Sequence, residues 1–194
     1  MSATAVDALA RLKEGNARFQ EDKVKGEQRD GARRAALTGG QEPYAAILAC
    51  ADSRVVPELA FDAGLGELFV VRVAGNVANT TSIASLEYAI AHLDTKLIVV
   101  MGHESCGGVG AAVAGTAQGP NLQHLIAMIT PVVQSSDDRS VNAVALLNAA
   151  HVARALVNDS EILREAVDNN GVMVVPAYYN LDSGAVDFVG GVAT

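Results

Sequence analysis

Two short apolar runs and the residues that follow them decide the fold: Ala45-Ala46-Ile47-Leu48-Ala49 and Leu97-Ile98-Val99-Val100-Met101. The first leads into Cys50-Ala51-Asp52-Ser53-Arg54, and the second into Gly102-His103-Glu104-Ser105-Cys106. Runs of this kind are typical of strands buried on both faces, as in parallel sheets covered by helices. Functional groups of such sheets gather beyond the carboxyl ends of the strands. Both cysteines of the chain, and one of its four histidines, therefore lie where a site is expected.

Strand and helix patterns alternate along the rest of the chain. We expect further strands at 68–73, 172–178 and 186–189, and helices at 3–19, 80–93, 121–133, 140–157 and 161–169. Thr80, Thr81 or Ser82 is expected to cap the helix at 80–93. Because apolar strands alternate with helices, we predict an α/β fold with a mostly parallel central sheet flanked by helices.

The length of 194 residues is that of a single domain with a sizeable core. We expect one domain over residues 1–194, made of an N-terminal helical arm at 1–35 and an α/β core at 36–194. The arm joins an amphipathic helix to the strongly polar segment 20–34, which has little to bury. Such an arm is suited to packing on a partner subunit instead of on its own core.

Composition argues against several classes of function. The formal net charge is -8 and the basic residues form no cluster longer than Arg33-Arg34, which disfavours nucleic-acid binding. The apolar runs are far shorter than the roughly 20 residues that a membrane span needs, so no membrane association is expected. No secretory signal pattern opens the sequence. We therefore expect a cytoplasmic protein whose two thiols serve a metal site or catalysis.

Cys50, His103 and Cys106 have the side chains of a zinc site. Zinc binds thiolate sulfur and imidazole nitrogen, and three protein ligands with one open position are typical of catalytic zinc. The remaining histidines lie in predicted helices without ligand-type neighbours: His92, His124 and His151. Ordinary buried packing and a redox sensor with a reversible disulfide are the alternatives for these thiols.

Asp52 and Arg54 favour a catalytic site over both alternatives. Charged side chains at the buried end of a strand need a partner. If the two pair with each other, Asp52 stays ionised as a hydrogen-bond acceptor beside the metal. A carboxylate there suits the orientation of hydroxide, because a bound metal lowers the pKa of water toward about 7. A thiol sensor has no need of such a carboxylate.

The two motifs together resemble those of the β-class carbonic anhydrases. They are Cys50-Ala51-Asp52-Ser53-Arg54-Val55 and Gly102-His103-Glu104-Ser105-Cys106-Gly107-Gly108. The similarity extends through most of the chain and includes LKEGNARF at 12–19, GQEP at 40–43, GELFVVR at 66–72, AGN at 74–76 and SLEYA at 85–89. The paired motifs are specific at this spacing, and the other segments support them.

The resemblance implies reversible hydration of carbon dioxide to bicarbonate and a proton through zinc-bound hydroxide. It implies one Zn²⁺ per chain with three protein ligands, Cys50, His103 and Cys106. Asp52 would accept the proton of that hydroxide, and Arg54 would hold Asp52. In some members of the family the aspartate itself binds the metal at lower pH, and the sequence leaves this open for Asp52.

The resemblance also implies residues around the substrate. Gln41 would lie near the substrate across a dimer interface. Phe69 and Tyr88 would line an apolar pocket for carbon dioxide, although aromatic residues in a strand and a helix suit a core equally well. Gly107 would allow close backbone approach. The implied assembly is a homodimer, or a tetramer of two dimers, joined through the N-terminal arm.

Two alternative functions remain at this point. Carbonyl sulfide hydrolysis belongs to the same family, because related enzymes keep the ligands and alter only the pocket. Ser53-Arg54 argues against the carbon disulfide hydrolases, which carry a different version of this motif. Val73 departs from the Asn of many relatives at the pocket edge and leaves the ligands intact. The second alternative is the non-catalytic zinc or thiol sensor.

Overall fold

The structure is a computed structural model that describes residues 3–190. Its strands are β1 Ala45–Ala49, β2 Leu68–Arg72, β3 Leu97–His103, β4 Met173–Tyr179 and β5 Val186–Phe188. Its helices are α1 Ala5–Gln20, α2 Gly31–Ala36, α3 Pro57–Ala60, α4 Thr80–Leu93, α5 Gly107–Ala114, α6 Pro120–Ser135, α7 Val141–Asp159 and α8 Glu161–Asn169. Short 3₁₀ turns lie at Leu37–Gly39 and Ala74–Asn76.

The strands form one five-stranded sheet in the order β2-β1-β3-β4-β5. The first four are parallel to one another, and β5 runs antiparallel to β4. Every residue of β1 and β3 is buried, as expected of central strands covered on both faces. The prediction of an α/β fold with a mostly parallel sheet is confirmed.

Alternate residues of β1 enter two different parts of the core. Ala45, Ile47 and Ala49 pack on the side covered by α1 and α3. Ala46 and Leu48 pack on the side covered by α4, α7 and α8. Because successive side chains of a strand point to opposite faces, this alternation places helices on both sides of the sheet.

The N-terminal helix α1 packs on the core of its own chain. Ala8 and Leu12 are fully buried there. Gly15 lies against the backbone of Phe61 so closely that a Cβ at this position would come within 1.9 Å of the Phe61 carbonyl oxygen. The predicted N-terminal helix is confirmed. The expectation that it packs away from its own core is wrong, because this stripe of small and apolar residues fits the sheet of the same chain.

Helix α4 begins one residue earlier than the expected caps. Asn79 is the N-cap, and its side chain accepts a hydrogen bond from the Ser82 backbone N–H at 2.9 Å. The Ser82 hydroxyl in turn accepts from the Asn79 N–H at 2.9 Å. The prediction of a cap at Thr80, Thr81 or Ser82 is wrong, because the Ser82 hydroxyl takes the place of the usual Glu in a capping box that starts at Asn79.

The central strands bring their carboxyl ends to one edge of the sheet. Ala49 of β1 lies beside Met101 of β3 in parallel register. Cys50 follows directly, and His103 is the last residue of β3. Among the described residues, no helix is both long and apolar enough to cross a membrane.

Candidate metal centre

Three possible ligand atoms converge at the carboxyl edge of the sheet. Cys50 follows β1, His103 ends β3, and Cys106 is the N-cap residue of α5. All three are buried, and their ligand atoms lie within 4.8 Å of one another. The structure therefore brings together the three residues that the sequence predicts as metal ligands.

The distance between the two sulfurs fits a shared metal ion. Both cysteines are free, and their Sγ atoms lie 3.9 Å apart. A disulfide would need about 2.05 Å. Two sulfurs that each lie about 2.3 Å from a tetrahedral zinc ion are about 3.8 Å from each other. The observed separation thus matches a pair of zinc ligands.

His103 presents an unpaired nitrogen to this cluster. Its Nδ1 lies 2.8 Å from the carbonyl oxygen of Glu104, which can only accept a hydrogen bond. Nδ1 therefore carries the proton, and Nε2 carries the free lone pair. This Nε2 is fully buried without a hydrogen-bond partner among the described residues. A buried acceptor without a partner is unfavourable unless it binds a metal, and an Nδ1–H bond to a carbonyl is the usual support of a histidine ligand.

The two thiols interact with each other. Their sulfur–sulfur contact, in which either thiol could donate, lowers the pKa of Cys50 against the opposing effect of burial. The backbone N–H of Gly75 donates a further hydrogen bond to Cys50 Sγ at 3.3 Å. The same shared proton raises the pKa of Cys106. Because the thiolate is the form that binds metals, the Gly75 hydrogen bond favours Cys50 as a sulfur ligand.

Asp52 and Arg54 form the charged pair beside the cluster. Arg54 donates from Nε to Asp52 Oδ1 at 2.9 Å and from Nη2 to Oδ2 at 2.7 Å. These bonds hold the pKa of Asp52 well below its usual range. Oδ2 also lies 3.9 Å from His103 Nε2, so an ionised carboxylate stands next to the ligand atoms.

Arg72 fixes the loop that carries Cys50 and Asp52. Its guanidinium donates from Nε to the Cys50 carbonyl at 3.0 Å and from Nη2 to the Asp52 carbonyl at 2.6 Å. This role of Arg72 was not predicted from the sequence. Its signal is a charged side chain at the end of the apolar strand β2, on the strand next to β1.

Helix α7 holds two further segments of the site, the loop between His103 and Cys106 and the 74–76 turn. Asn142 accepts a hydrogen bond from the Ser105 N–H at 2.9 Å, and Asn148 donates from Nδ2 to the Gly75 carbonyl at 2.9 Å. Ser105 has a left-handed φ of 52°, which is uncommon for a residue with a side chain. Neither asparagine was predicted, because both lie far along the chain from the motifs that they hold.

Gln41, Phe69 and Tyr88 lie away from the metal cluster within one chain. Gln41 precedes β1 and Cys50 follows it, so a strand that rises about 3.3 Å per residue separates them. Phe69 pairs with Ala46 in β1, and its ring lies 6.3 Å from that of Tyr88, which is 48% exposed.

Gly107 is the first residue of α5, directly after Cys106. A Cβ at Gly107 would meet nothing within 4 Å, so no contact within the chain requires a glycine there. At Gly108 a Cβ would lie 3.1 Å from the Gly75 nitrogen. Close approach between α5 and the 74–76 turn therefore depends on Gly108, whereas the sequence predicted this role for Gly107.

Fold and site together define an α/β protein with a buried Cys₂His cluster that could hold a metal ion and a carboxylate beside it. Comparisons with known proteins give its family. The carbonic anhydrase family profile matches residues 45–186. Carbonic anhydrase 2 of Mycobacterium tuberculosis H37Rv is 38% identical over 186 residues, covering 92% of this chain and 90% of that protein. The carbonic anhydrase of Mycolicibacterium smegmatis is 34% identical over 193 residues, covering 96% and 94%.

Solved structures show the same fold. One of two tetrameric β-carbonic anhydrases from Sordaria macrospora matches with a TM-score of 0.77 and 25% identity over 93% of this chain and 96% of that one. The Coccomyxa β-carbonic anhydrase, solved with acetazolamide, matches with a TM-score of 0.76 and 25% identity over 95% and 87%. The chain belongs to the β-carbonic anhydrase family, and the resemblance noted in its sequence is confirmed.

Proposed function

We propose that this chain is a zinc hydro-lyase, a carbonate dehydratase that interconverts carbon dioxide with bicarbonate and a proton. The observation that carries the proposal is the convergence of Cys50, His103 and Cys106 with Asp52 Oδ2, which lies 3.9 Å from His103 Nε2. The names of the relatives at 38% and 34% identity support the same reaction.

Two sulfurs and an imidazole nitrogen suit one Zn²⁺ per chain. When bound, zinc lowers the pKa of water toward about 7 and so supplies hydroxide at neutral pH. The chain prepares its ligands for this ion: the Gly75 N–H donates to Cys50 Sγ, and His103 keeps Nε2 free through its Nδ1 hydrogen bond. Three protein ligands leave one position for solvent.

Asp52 would accept a hydrogen bond from the attacking oxygen. Its Oδ1 accepts from both the backbone N–H and the Nε of Arg54, whereas Oδ2 accepts one hydrogen bond from Nη2 and also faces the cluster. Oδ2 therefore has a free lone pair on the side where solvent would stand. By accepting a hydrogen bond from that oxygen, Asp52 would orient it toward carbon dioxide, and Arg54 keeps the carboxylate ionised.

The apolar pocket is completed by a second copy of the chain. Gln41, Phe69 and Tyr88 lie away from the cluster in their own chain, so we place them in the site of a partner subunit. The tetrameric state of the Sordaria macrospora relative supports a homodimer or a tetramer of two dimers. We also propose that residues 1–194 act as one domain in the cytoplasm, where the two free thiols stay reduced.

The proposal is tested by stopped-flow hydration of carbon dioxide with a pH indicator, using fully zinc-loaded protein from about pH 7 to about pH 9. We expect hydration far faster than in buffer alone. Hydration no faster than in buffer would contradict the proposal. A parallel assay with carbonyl sulfide distinguishes a carbonic anhydrase from a carbonyl sulfide hydrolase of the same family. Sulfide release with negligible carbon dioxide hydration would identify the hydrolase.

A further inference from the structure

Asn148 is an isolated amide on an apolar face of α7. Its neighbours Ala145, Ala149 and Val152 are buried, and Asn148 itself has an exposure of 0%. Its Oδ1 has no hydrogen-bond partner among the described residues. A buried amide that is only partly paired is unfavourable, and an alanine or leucine would fill a helix face of this kind without that penalty. Packing alone therefore does not explain an asparagine at this position.

Among the described residues, the side chain of Asn148 makes one hydrogen bond, and it leads to the Cys50, His103 and Cys106 cluster. Nδ2 donates to the carbonyl oxygen of Gly75 at 2.9 Å, across a separation of 73 positions in sequence. Gly75 has φ 68° and ψ 14°, a left-handed conformation. In that conformation its own N–H donates to Cys50 Sγ at 3.3 Å. Asn148 thus binds the carbonyl oxygen of Gly75, and the N–H of the same residue binds the Cys50 sulfur.

Other contacts also restrict the Ala74–Asn76 turn that contains Gly75. A Cβ at Gly75 would lie 2.7 Å from Cδ1 of Ile129 on α6, so the turn is pressed between α6 and the cluster. The Asn76 N–H closes the turn on the Val73 carbonyl at 2.8 Å. The Gly75 carbonyl lies in the same peptide plane as this N–H, and among the described residues Asn148 is the side chain that binds it. The two bonds therefore fix this plane from both sides.

We propose that Asn148 is a positioning residue of the metal centre, which holds Gly75 so that its N–H donates to Cys50 Sγ. The proposal rests on the zinc site of the proposed function, and Asn148 itself touches no ligand atom. Without it the turn relaxes, Cys50 Sγ loses the hydrogen bond from Gly75, and the ligand set becomes less ordered. Losing such an outer partner typically weakens metal binding by about 10- to 100-fold.

Asn16 offers a matched control. It is also buried, with 3% exposure, and its Nδ2 donates to the carbonyls of Ala60 at 3.0 Å and Gly184 at 2.8 Å. It lies on α1, and none of its hydrogen bonds reaches the metal cluster. Asn16→Ala therefore removes a buried amide and its hydrogen bonds without touching the Gly75 turn.

The first experiment measures the zinc affinity of folded wild type, N148A and N16A by competition with a chromophoric chelator. Thermal unfolding of the metal-free proteins is measured alongside. We expect N148A to bind zinc about 10- to 100-fold more weakly and N16A to bind it like wild type. Equal affinity of N148A and wild type would overturn the proposal. The proposal would also be overturned if both variants lost zinc affinity in proportion to their loss of thermal stability in the metal-free state.

The deciding measurement of the second experiment is made on wild type and so does not depend on the folding of a variant. In cadmium-substituted wild type, NMR should detect a scalar coupling between the metal nucleus and the Gly75 amide proton, transmitted through the N–H···S hydrogen bond. The coupling should persist in N16A and vanish in N148A. Its absence in wild type that binds cadmium would overturn the positioning role alone. Wild type that binds neither zinc nor cadmium would overturn the metal site and this proposal together.

Discussion

Arg54 holds the carboxylate of Asp52 with two parallel hydrogen bonds, Nε to Oδ1 at 2.9 Å and Nη2 to Oδ2 at 2.7 Å. A planar guanidinium bound in this way fixes the plane of the carboxylate as well as its charge. Oδ2 consequently stands 3.9 Å from His103 Nε2 as an ionised acceptor. The pair aims a proton acceptor at the metal cluster without adding another ligand from the chain.

Asp52→Asn should separate metal binding from catalysis. The amide keeps the size of the side chain but loses the charge and one of the two acceptor oxygens, so it orients the attacking oxygen poorly and hydration should fall by roughly 100-fold or more. Zinc content should stay at the wild-type level, because the three ligand residues are intact. Stopped-flow hydration and metal analysis of the same sample measure both.

Asp168→Asn, the same change at an exposed position of α8, is the control and should behave like wild type. Full activity of zinc-loaded D52N would contradict the role of Asp52. That result would favour the thiol or zinc sensor, which needs no oriented carboxylate.

Cys106→Ser should abolish stable zinc binding. A serine hydroxyl is a far poorer zinc ligand than a thiolate, and only two strong ligands would remain. Metal analysis after dialysis should find zinc in wild type and almost none in C106S. Ser105→Ala, a change at the exposed neighbouring residue, should retain the metal. Zinc retained by C106S would mean that the metal is bound by a different set of residues.

Mixing two inactive variants should restore activity if Gln41 acts on the partner's site. Co-refolded Q41A and D52N chains form mixed dimers in which one site carries both changes and the other carries neither. About one quarter of all sites should then be intact at equal mixing. The control is a mixture of C106S with D52N, whose changes both fall on the side of the metal, so that no site recovers. Equal rates from the two mixtures would contradict a site shared between chains.

Asp62 should make stability depend on pH. Its side chain is 1% exposed and accepts hydrogen bonds from Arg18 Nε at 2.7 Å, Lys25 N at 2.9 Å and Gly26 N at 3.0 Å. Burial alone would raise the pKa of Asp62, but these hydrogen bonds outweigh it and lower the pKa from 3.8 to about 2. Because the folded-state pKa lies below the unfolded value, the carboxylate stabilises the fold by roughly 2 kcal/mol. This contribution is present above about pH 4 and is lost as the pH falls toward about 2.

Asp62→Asn should therefore lower the free energy of unfolding by roughly 2 kcal/mol at neutral pH, with a smaller difference from wild type at acid pH. Denaturant unfolding of the metal-free proteins across this range measures the difference. Asp22→Asn, at an exposed position of the polar segment that Asp62 fastens, is the control and should change little. A destabilisation by D62N that stays constant down to the lowest pH would contradict the assignment.

The sheet could be predicted because its central strands are continuously apolar. β1 and β3 are buried along their whole length, and a strand of that kind has few alternatives. The meeting of Cys50 with His103 followed from the same pattern, since both residues come at the end of such strands. The packing of α1 could not be predicted, because amphipathicity shows that a helix has a buried face and not which chain covers it.

The residues that hold the loops of the site in place could not be predicted from sequence patterns. Arg72 and Asn148 act through backbone carbonyls, which leave no signature in the residues that receive the bond. The only local signal for Asn148 is a polar residue on a helix face that otherwise follows an apolar period. Gly75 and Gly108 were visible as glycines, but the contact between their backbones emerges only from the tertiary structure.

The central claim is that the Cys50, His103 and Cys106 cluster holds a zinc ion on which hydration of carbon dioxide depends. Its most direct test is addition of zinc to metal-free protein while bound metal and hydration rate are measured on the same samples. We predict that the rate rises in proportion to bound zinc and levels off at one zinc per chain. A rate that stays at the level of buffer when every chain holds one zinc would contradict the claim.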